Sequence, residues 1–318
     1  MSSSSSISSS PPVNLICSVC GEKSALRCSK CLGALYCSIP CQKKDWKTHK
    51  VNCKNAEVTK KSYEALGCRT VEEIDAKLEE DRRLAELGDE IGQYNMGLSY
   101  YSGLGVGVDK IESVKWFRLA AEQGNAGAQY NLGNAYFNGE GVSVDKVEGI
   151  KWYRLAAEQG IAQAQYHLGV AYYHGDGVSV DKVKSVKWYR VAANQGYANA
   201  QFNLGCAYSK GEGVSVDKVE SIKWYRLAAE QGFADAQFNL GNAYDKGNGV
   251  SVDKVEAMKW FRLAAEQGDA AAQFYLGLSY LTGEGVSVDK VEGLKWIKLA
   301  AENEIPQAIT YLESLNEE

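Results

Sequence analysis

The chain has 318 residues, 45% of them apolar and 24% charged, with a formal net charge of −5. That apolar content can fill a packed core, which excludes a wholly disordered chain, and no run of eighteen apolar residues marks a membrane-spanning helix. The charge is divided: residues 1–61 carry ten Lys/Arg against three Asp/Glu, a net of +7, while residues 62–318 carry 25 against 37, a net of −12.

Residues 1–12 are mostly serine, closing on Pro11 and Pro12. They lack the basic start and apolar centre of a secretory signal, so the reading is a disordered Ser-rich tail on an intracellular protein, cytoplasmic and/or nuclear.

Residues 13–57 hold the chemistry. Seven of the nine cysteines fall between Cys17 and Cys53, with His49 as the eighth ligand-type residue. The pairs are Cys17/Cys20, Cys28/Cys31, Cys37/Cys41 and His49/Cys53. Four pairs make two tetrahedral sites, and Zn²⁺ takes thiolates and imidazole in such closed sites. Disulfides would leave one of the seven thiols unpaired and would need an oxidising compartment. The cofactor is therefore zinc, two ions per chain.

Ligand order narrows the type. RING and PHD fingers place their histidine nearer the middle, whereas here it is seventh of eight. With Tyr36-Cys-Ser38, Cys41-Gln42, Trp46 and His49-Lys50, the segment resembles a MYND-type zinc finger. The resemblance implies cross-braced pairing, with Cys17, Cys20, Cys37 and Cys41 on one ion and Cys28, Cys31, His49 and Cys53 on the other. Both sites would be full, so the zinc would be structural. The resemblance also implies a groove for proline-containing peptides at Ser38, Gln42 and Trp46. For Trp46, packing over the second zinc is an equal reading. The basic charge of this segment permits nucleic-acid contact, but no base-reading helix or aromatic platform is evident, which argues against it.

Residues 58–87 form a charged linker and N-terminal cap helix, helical from Val71. Residues 88–303 then say one thing six times. Trp116, Trp152, Trp188, Trp224, Trp260 and Trp296 fall on a 36-residue lattice, the mark of a stacked array. Each copy carries two helical patterns, such as Ala128, Leu132, Ala135 and Tyr136, then Ile150, Tyr153 and Ala157. Glycines supply the turn between them, and Asp145 followed three residues later by Glu148 predicts a capping box on the second helix. Asp109/Glu112, Asp217/Glu220, Asp253/Glu256 and Asp289/Glu292 repeat it, while Lys184 replaces the Glu in the third copy and predicts a weaker cap there. Small residues at Ala128, Gly133, Ala156 and Ala157 mark close helix approach.

Two short helices cannot bury their own apolar faces, so stacking must supply the core. The unit resembles the Sel-1-like repeat, a relative of the tetratricopeptide repeat. The residues that carry it are Ala128-Gln-Tyr-Asn-Leu-Gly133, Gly139-Glu-Gly-Val142, Trp152-Tyr153 and Ala156-Ala-Glu-Gln-Gly160. Residues 304–318 read as a C-terminal cap helix, with Glu313 where Gly133 would stand. The fold class is mostly α: a small two-zinc finger followed by an α-solenoid of six helix-turn-helix repeats.

No catalytic constellation emerges. His167 and His174 read as substitutions at variable surface positions. The Gly-x-Gly-Val turns lack the Gly-Lys-Ser/Thr of a phosphate loop. The Asn-His element of the methyltransferases that some MYND proteins carry is missing. The chain reads as a non-enzymatic adaptor whose finger grips a proline-rich segment and whose solenoid grips a second protein, with no membrane partner. Binding positions on the solenoid should lie where copies disagree, at Asn131, His167, Asn203, Asn239 and Tyr275, and at the helix ends Phe137, Tyr173, Ser209, Asp245 and Leu281. The alternative is a substrate-recruiting component of a ubiquitin ligase or protein quality-control complex.

Overall fold

The computed structural model describes residues 26–27, 35–36 and 71–316. Its fold is a helical-repeat solenoid, in which two compact units divide after Asp145. The first unit contains the two-residue strands β1 (Leu26–Arg27) and β2 (Leu35–Tyr36) and the helices α1 (Val71–Glu86), α2 (Glu90–Ser102), α3 (Lys110–Glu122) and α4 (Ala126–Asn138). The second contains α5 (Lys146–Glu158), α6 (Ala162–His174), α7 (Lys182–Asn194), α8 (Ala198–Lys210), α9 (Lys218–Glu230), α10 (Ala234–Lys246), α11 (Lys254–Glu266), α12 (Ala270–Thr282), α13 (Lys290–Glu302) and α14 (Pro306–Asn316). Within each unit every helix packs on the next in sequence.

Local chemistry sets these boundaries. The second helices are rich in Ala, Leu, Lys, Arg and Glu, strong helix formers, while the first helices also carry Gly, Asn and Tyr. The second helix of a copy opens on an aspartate: Asp109, Asp217, Asp253 and Asp289 each accept a hydrogen bond from a backbone N–H of the first turn. The capping box is only half made. In α9 and α11 the first-turn glutamates turn forward instead, accepting from an indole four residues on: Trp224 to Glu220 and Trp260 to Glu256, each at 3.0 Å. Nor is the third copy weaker in the bond itself, since Asp181 accepts from the Lys184 N–H at 2.9 Å, as Asp217 does from Glu220. That backbone bond, helped by the Lys184 ammonium, holds the Asp181 carboxyl below its ordinary value.

First helices start differently. Asn125 and Asp269 cap α4 and α12 through their side chains, but Ile161, Tyr197 and Phe233 occupy the same place with no side-chain cap. In two of those copies the ring packs instead, Tyr197 on Tyr166 at 5.3 Å and Phe233 on Phe202 at 5.1 Å. Aromatic contact replaces the lost cap.

The core lies between copies, as stacking requires. Val186, Tyr189, Ala192 and Ala193 of α7 meet Ala200, Leu204 and Ala207 of α8, with Trp224 of the following helix packed against them. The same grouping recurs one copy on, around Ile222, Tyr225, Leu240 and Trp260. The lattice tryptophans are only half-buried; the fully buried ring belongs to the next residue, as in Phe117, Tyr153 and Phe261. The first-helix glycine admits it. A Cβ on Gly205 would stand 2.6 Å from the Tyr225 ring.

At both ends the pattern changes. On α1, buried Asp81 takes the place of the ring and accepts from the Asn95 amide at 3.0 Å. On α14, Ile309 stands where a buried glutamine sits in each copy.

Candidate protein-interaction surfaces

The eight residues expected to bind zinc, Cys17, Cys20, Cys28, Cys31, Cys37, Cys41, His49 and Cys53, lie outside the described residues, as do Ser38, Gln42 and Trp46, expected to form the groove. What is described is a short antiparallel pairing, Leu26 opposite Tyr36 and Arg27 opposite Leu35. In the chain Cys28 directly follows β1 and Cys37 directly follows β2. Seven thiols and one imidazole are a donor set suited to zinc. Among the described residues no cluster of three metal-ligating side chains occurs.

The five variable first-helix positions are all half-buried rather than free on the surface. His167 stacks on Tyr153 at 5.2 Å and 9°, and Tyr275 on Phe261 at 5.4 Å and 14°. Asn203 shares one cleft wall with Tyr166 and Tyr189. These side chains therefore contribute to packing between copies as well as to the exposed face. Burial pushes the His167 imidazole below its ordinary value and the Tyr189 hydroxyl up to about 12. His174, by contrast, is exposed and meets Tyr173 edge-on at 4.9 Å.

Two of the helix-end positions, Tyr173 and Ser209, line clefts. One, of 260 Å³, lies where the third and fourth copies meet and is lined by Tyr166, Tyr173, Tyr189, Asn203, Cys206 and Glu212, among others. Hydrogen bonds from Lys182 and from the Tyr173 hydroxyl hold the Glu212 carboxyl below its usual value. Burial pushes the Cys206 thiol up, away from nucleophilic character, and its sulfur accepts from the Tyr225 hydroxyl at 3.3 Å. The matching cleft one copy on measures 140 Å³ and is lined by Ser209, Lys218, Asn239, Asn242 and Asn248 among others. Both are smaller than the roughly 300–1,000 Å³ of a small-molecule pocket, so they suit side chains of a protein partner.

One feature was not legible as function in the sequence: the invariant glutamine of the first helix is buried. Gln165, Gln201, Gln237 and Gln273 each donate to a carbonyl near the end of the preceding helix, and each accepts from an amide at the end of its own copy. The 36-residue recurrence of an amide among apolar residues was the available signal.

The family model of the Sel1 repeat matches six times, at residues 91–125, 126–161, 162–197, 198–233, 234–269 and 270–304, and that of the MYND finger matches residues 17–53. The chain is a Sel1-repeat protein carrying a MYND finger. The Sel1 array is similar to the structure of a protective antigen with an SLR fold present in uropathogenic Escherichia coli strains. That match has 40% identity and a TM-score of 0.71, covering 73% of this chain and 50% of that one. A Sel1 repeat protein from Oxalobacter formigenes matches at 31% identity and a TM-score of 0.65, over 77% of this chain and 96% of that one.

Curated relatives match over short stretches. Ubiquitin carboxyl-terminal hydrolase 19 of Arabidopsis thaliana is 47% identical over 47 residues, 14% of this chain and 7% of that protein. Human histone-lysine N-methyltransferase SMYD3 is 38% identical over 66 residues, 20% of this chain and 15% of that protein. The chain thus spans a small fraction of the length of these relatives. A MYND finger implies zinc, Sel1 scaffolds are typically non-catalytic, and finger and array together indicate a protein-interaction adaptor. Among the described residues no helix is long and apolar enough to cross a membrane.

Proposed function

We propose that this chain is a non-catalytic, two-zinc adaptor that joins two proteins, the MYND finger taking a proline-rich segment and the Sel1 array taking a second protein. The observation that carries the reading is the contrast inside the array. The framework of glutamines, second-helix caps and turns repeats from copy to copy, while the residues lining the two neighbouring clefts differ. A framework held constant with variable side chains on one face presents a specific surface.

For the finger, Trp46 supplies a flat apolar wall for a proline ring and Gln42 an amide for the peptide backbone. An extended proline-rich segment loses little entropy on binding. The test is binding of a proline-rich peptide library to the zinc-loaded full chain and to Gln42→Ala, with metal content measured in both. Loss of binding at unchanged zinc supports the groove; equal binding removes it. Ubiquitin transfer by the purified chain with a conjugating enzyme would install the ligase reading instead.

A further inference from the structure

Four of the copy-to-copy junctions share one ion pair. The lysine that opens a second helix reaches the acid in the turn of the next copy: Lys110 to Glu140 at 3.5 Å, Lys146 to Asp176 at 2.5 Å, Lys182 to Glu212 at 2.7 Å and Lys254 to Glu284 at 3.0 Å. Lys254 has a second carboxylate as well, Asp245 at 2.7 Å. Where the fourth and fifth copies meet, both acids are replaced. Asn248 stands in the turn and Ser209 at the helix end. Lys218 Nζ turns back to the Ser209 carbonyl at 2.7 Å and hydroxyl at 3.1 Å, and among the described residues no carboxylate pairs with it.

The same cleft holds a second unmet requirement. Asn242 Oδ1 is buried and, among the described residues, accepts no hydrogen bond. Cys206 and Val170 occupy that position in the two preceding copies and Leu278 in the following one, while Asn134 carries the same amide in the second copy. Asn242 lines the cleft, where a ligand's N–H would supply the missing donor.

We propose that this cleft binds one aspartate or glutamate of a partner protein, held in an extended segment. A peptide residue of that kind carries both missing groups, a carboxylate for Lys218 and a backbone N–H for Asn242 Oδ1. An inorganic anion supplies only the first. The 140 Å³ available holds one side chain. Residues 62–318 carry a net −12, which repels a densely acidic segment, so the recognised carboxylate is an isolated one among uncharged residues. The tyrosine-lined cleft one copy back suits an apolar side chain of the same segment. The inference rests on the reading of the array as a protein-binding surface.

The test uses the full chain and an immobilised library of short peptides. Each bears one Glu or Asp among uncharged residues and is paired with its Gln or Asn counterpart. The wild type should retain the carboxylate members about threefold to tenfold better. Asn248→Glu gives Lys218 the internal partner found at the other junctions, so it should abolish that preference with helicity and denaturation midpoint intact. Lys218→Gln should abolish it too. A preference that survives Asn248→Glu, or a wild type that binds peptides without regard to the carboxylate, overturns this inference and leaves the array's binding role standing. A wild type that retains neither peptides nor any protein overturns both.

Discussion

Gln231 Nε2 donates to Oε1 of Gln201 at 2.7 Å, and Gln201 Nε2 donates in turn to the Ala193 carbonyl at 3.2 Å. The second bond ties the fourth copy to the end of the third copy's helix, adding a donor from the next copy to a carbonyl that also accepts from the Gly196 N–H at 3.0 Å. Gln201→Leu keeps the size and removes both bonds between elements, leaving the Ala193 oxygen to backbone donors such as the Gly196 N–H and the Gln231 amide to the Leu227 carbonyl. The expected loss is about 0.5–1.5 kcal/mol for each bond removed. Hydrogen exchange should localise it to the third and fourth copies, since distant repeats share no contacts. Deprotection of the whole array would show a single cooperative block instead.

Two glycines separate backbone conformation from close approach. Gly232 and Gly213 both have positive φ, +87° and +73°. A Cβ on Gly232 meets nothing within 4 Å, whereas one on Gly213 overlaps the Lys182 carbonyl oxygen. Gly232→Ala should cost about 1–2 kcal/mol. Gly213→Ala should cost clearly more, because two backbones must part. Denaturant midpoints of the two variants check the order, and equal values would mean the junction yields freely.

His167 makes stability depend on pH. Its folded value is depressed by burial against the Tyr153 ring, while the unfolded value stays near about 6.5. The unfolded chain therefore binds the extra proton first. The stability present above about 6.5 is lost as pH falls from there through the folded value. His167→Asn, which carries the residue of neighbouring copies, should flatten that part of the dependence. Chemical denaturation of both proteins at neutral and mildly acidic pH measures it, and parallel curves would clear His167 of the effect.

Metal should account for the finger's fold. Structural zinc contributes roughly 10–16 kcal/mol of apparent binding free energy in small fingers, more than so small a core supplies. Freshly reduced protein should contain two zinc ions per chain, and Cys28→Ser should lower the count while the helical signal of the array remains. One ion or none in the wild type would rule out the cross-braced arrangement.

The sequence alone carried the period, the helix pairs, the acid caps and the finger. Each is a local or strictly repeated signal: tryptophans on a 36-residue lattice, aspartates before helices, cysteines in close pairs. Tertiary structure decided what lies between copies. The tryptophan that announces the repeat is half-buried, and the ring that fills the core is its neighbour, because that side chain points at the first-helix glycine. Asn203 and His167, read as surface, face rings of the preceding copy. The sequence displays Lys218 and Asn248 thirty residues apart as two polar residues among many. Only stacking sets the lysine of one copy beside the turn of the next, where four acids answer it and one asparagine does not. Contacts between repeats depend on how helices pack, and no single repeat's sequence contains them.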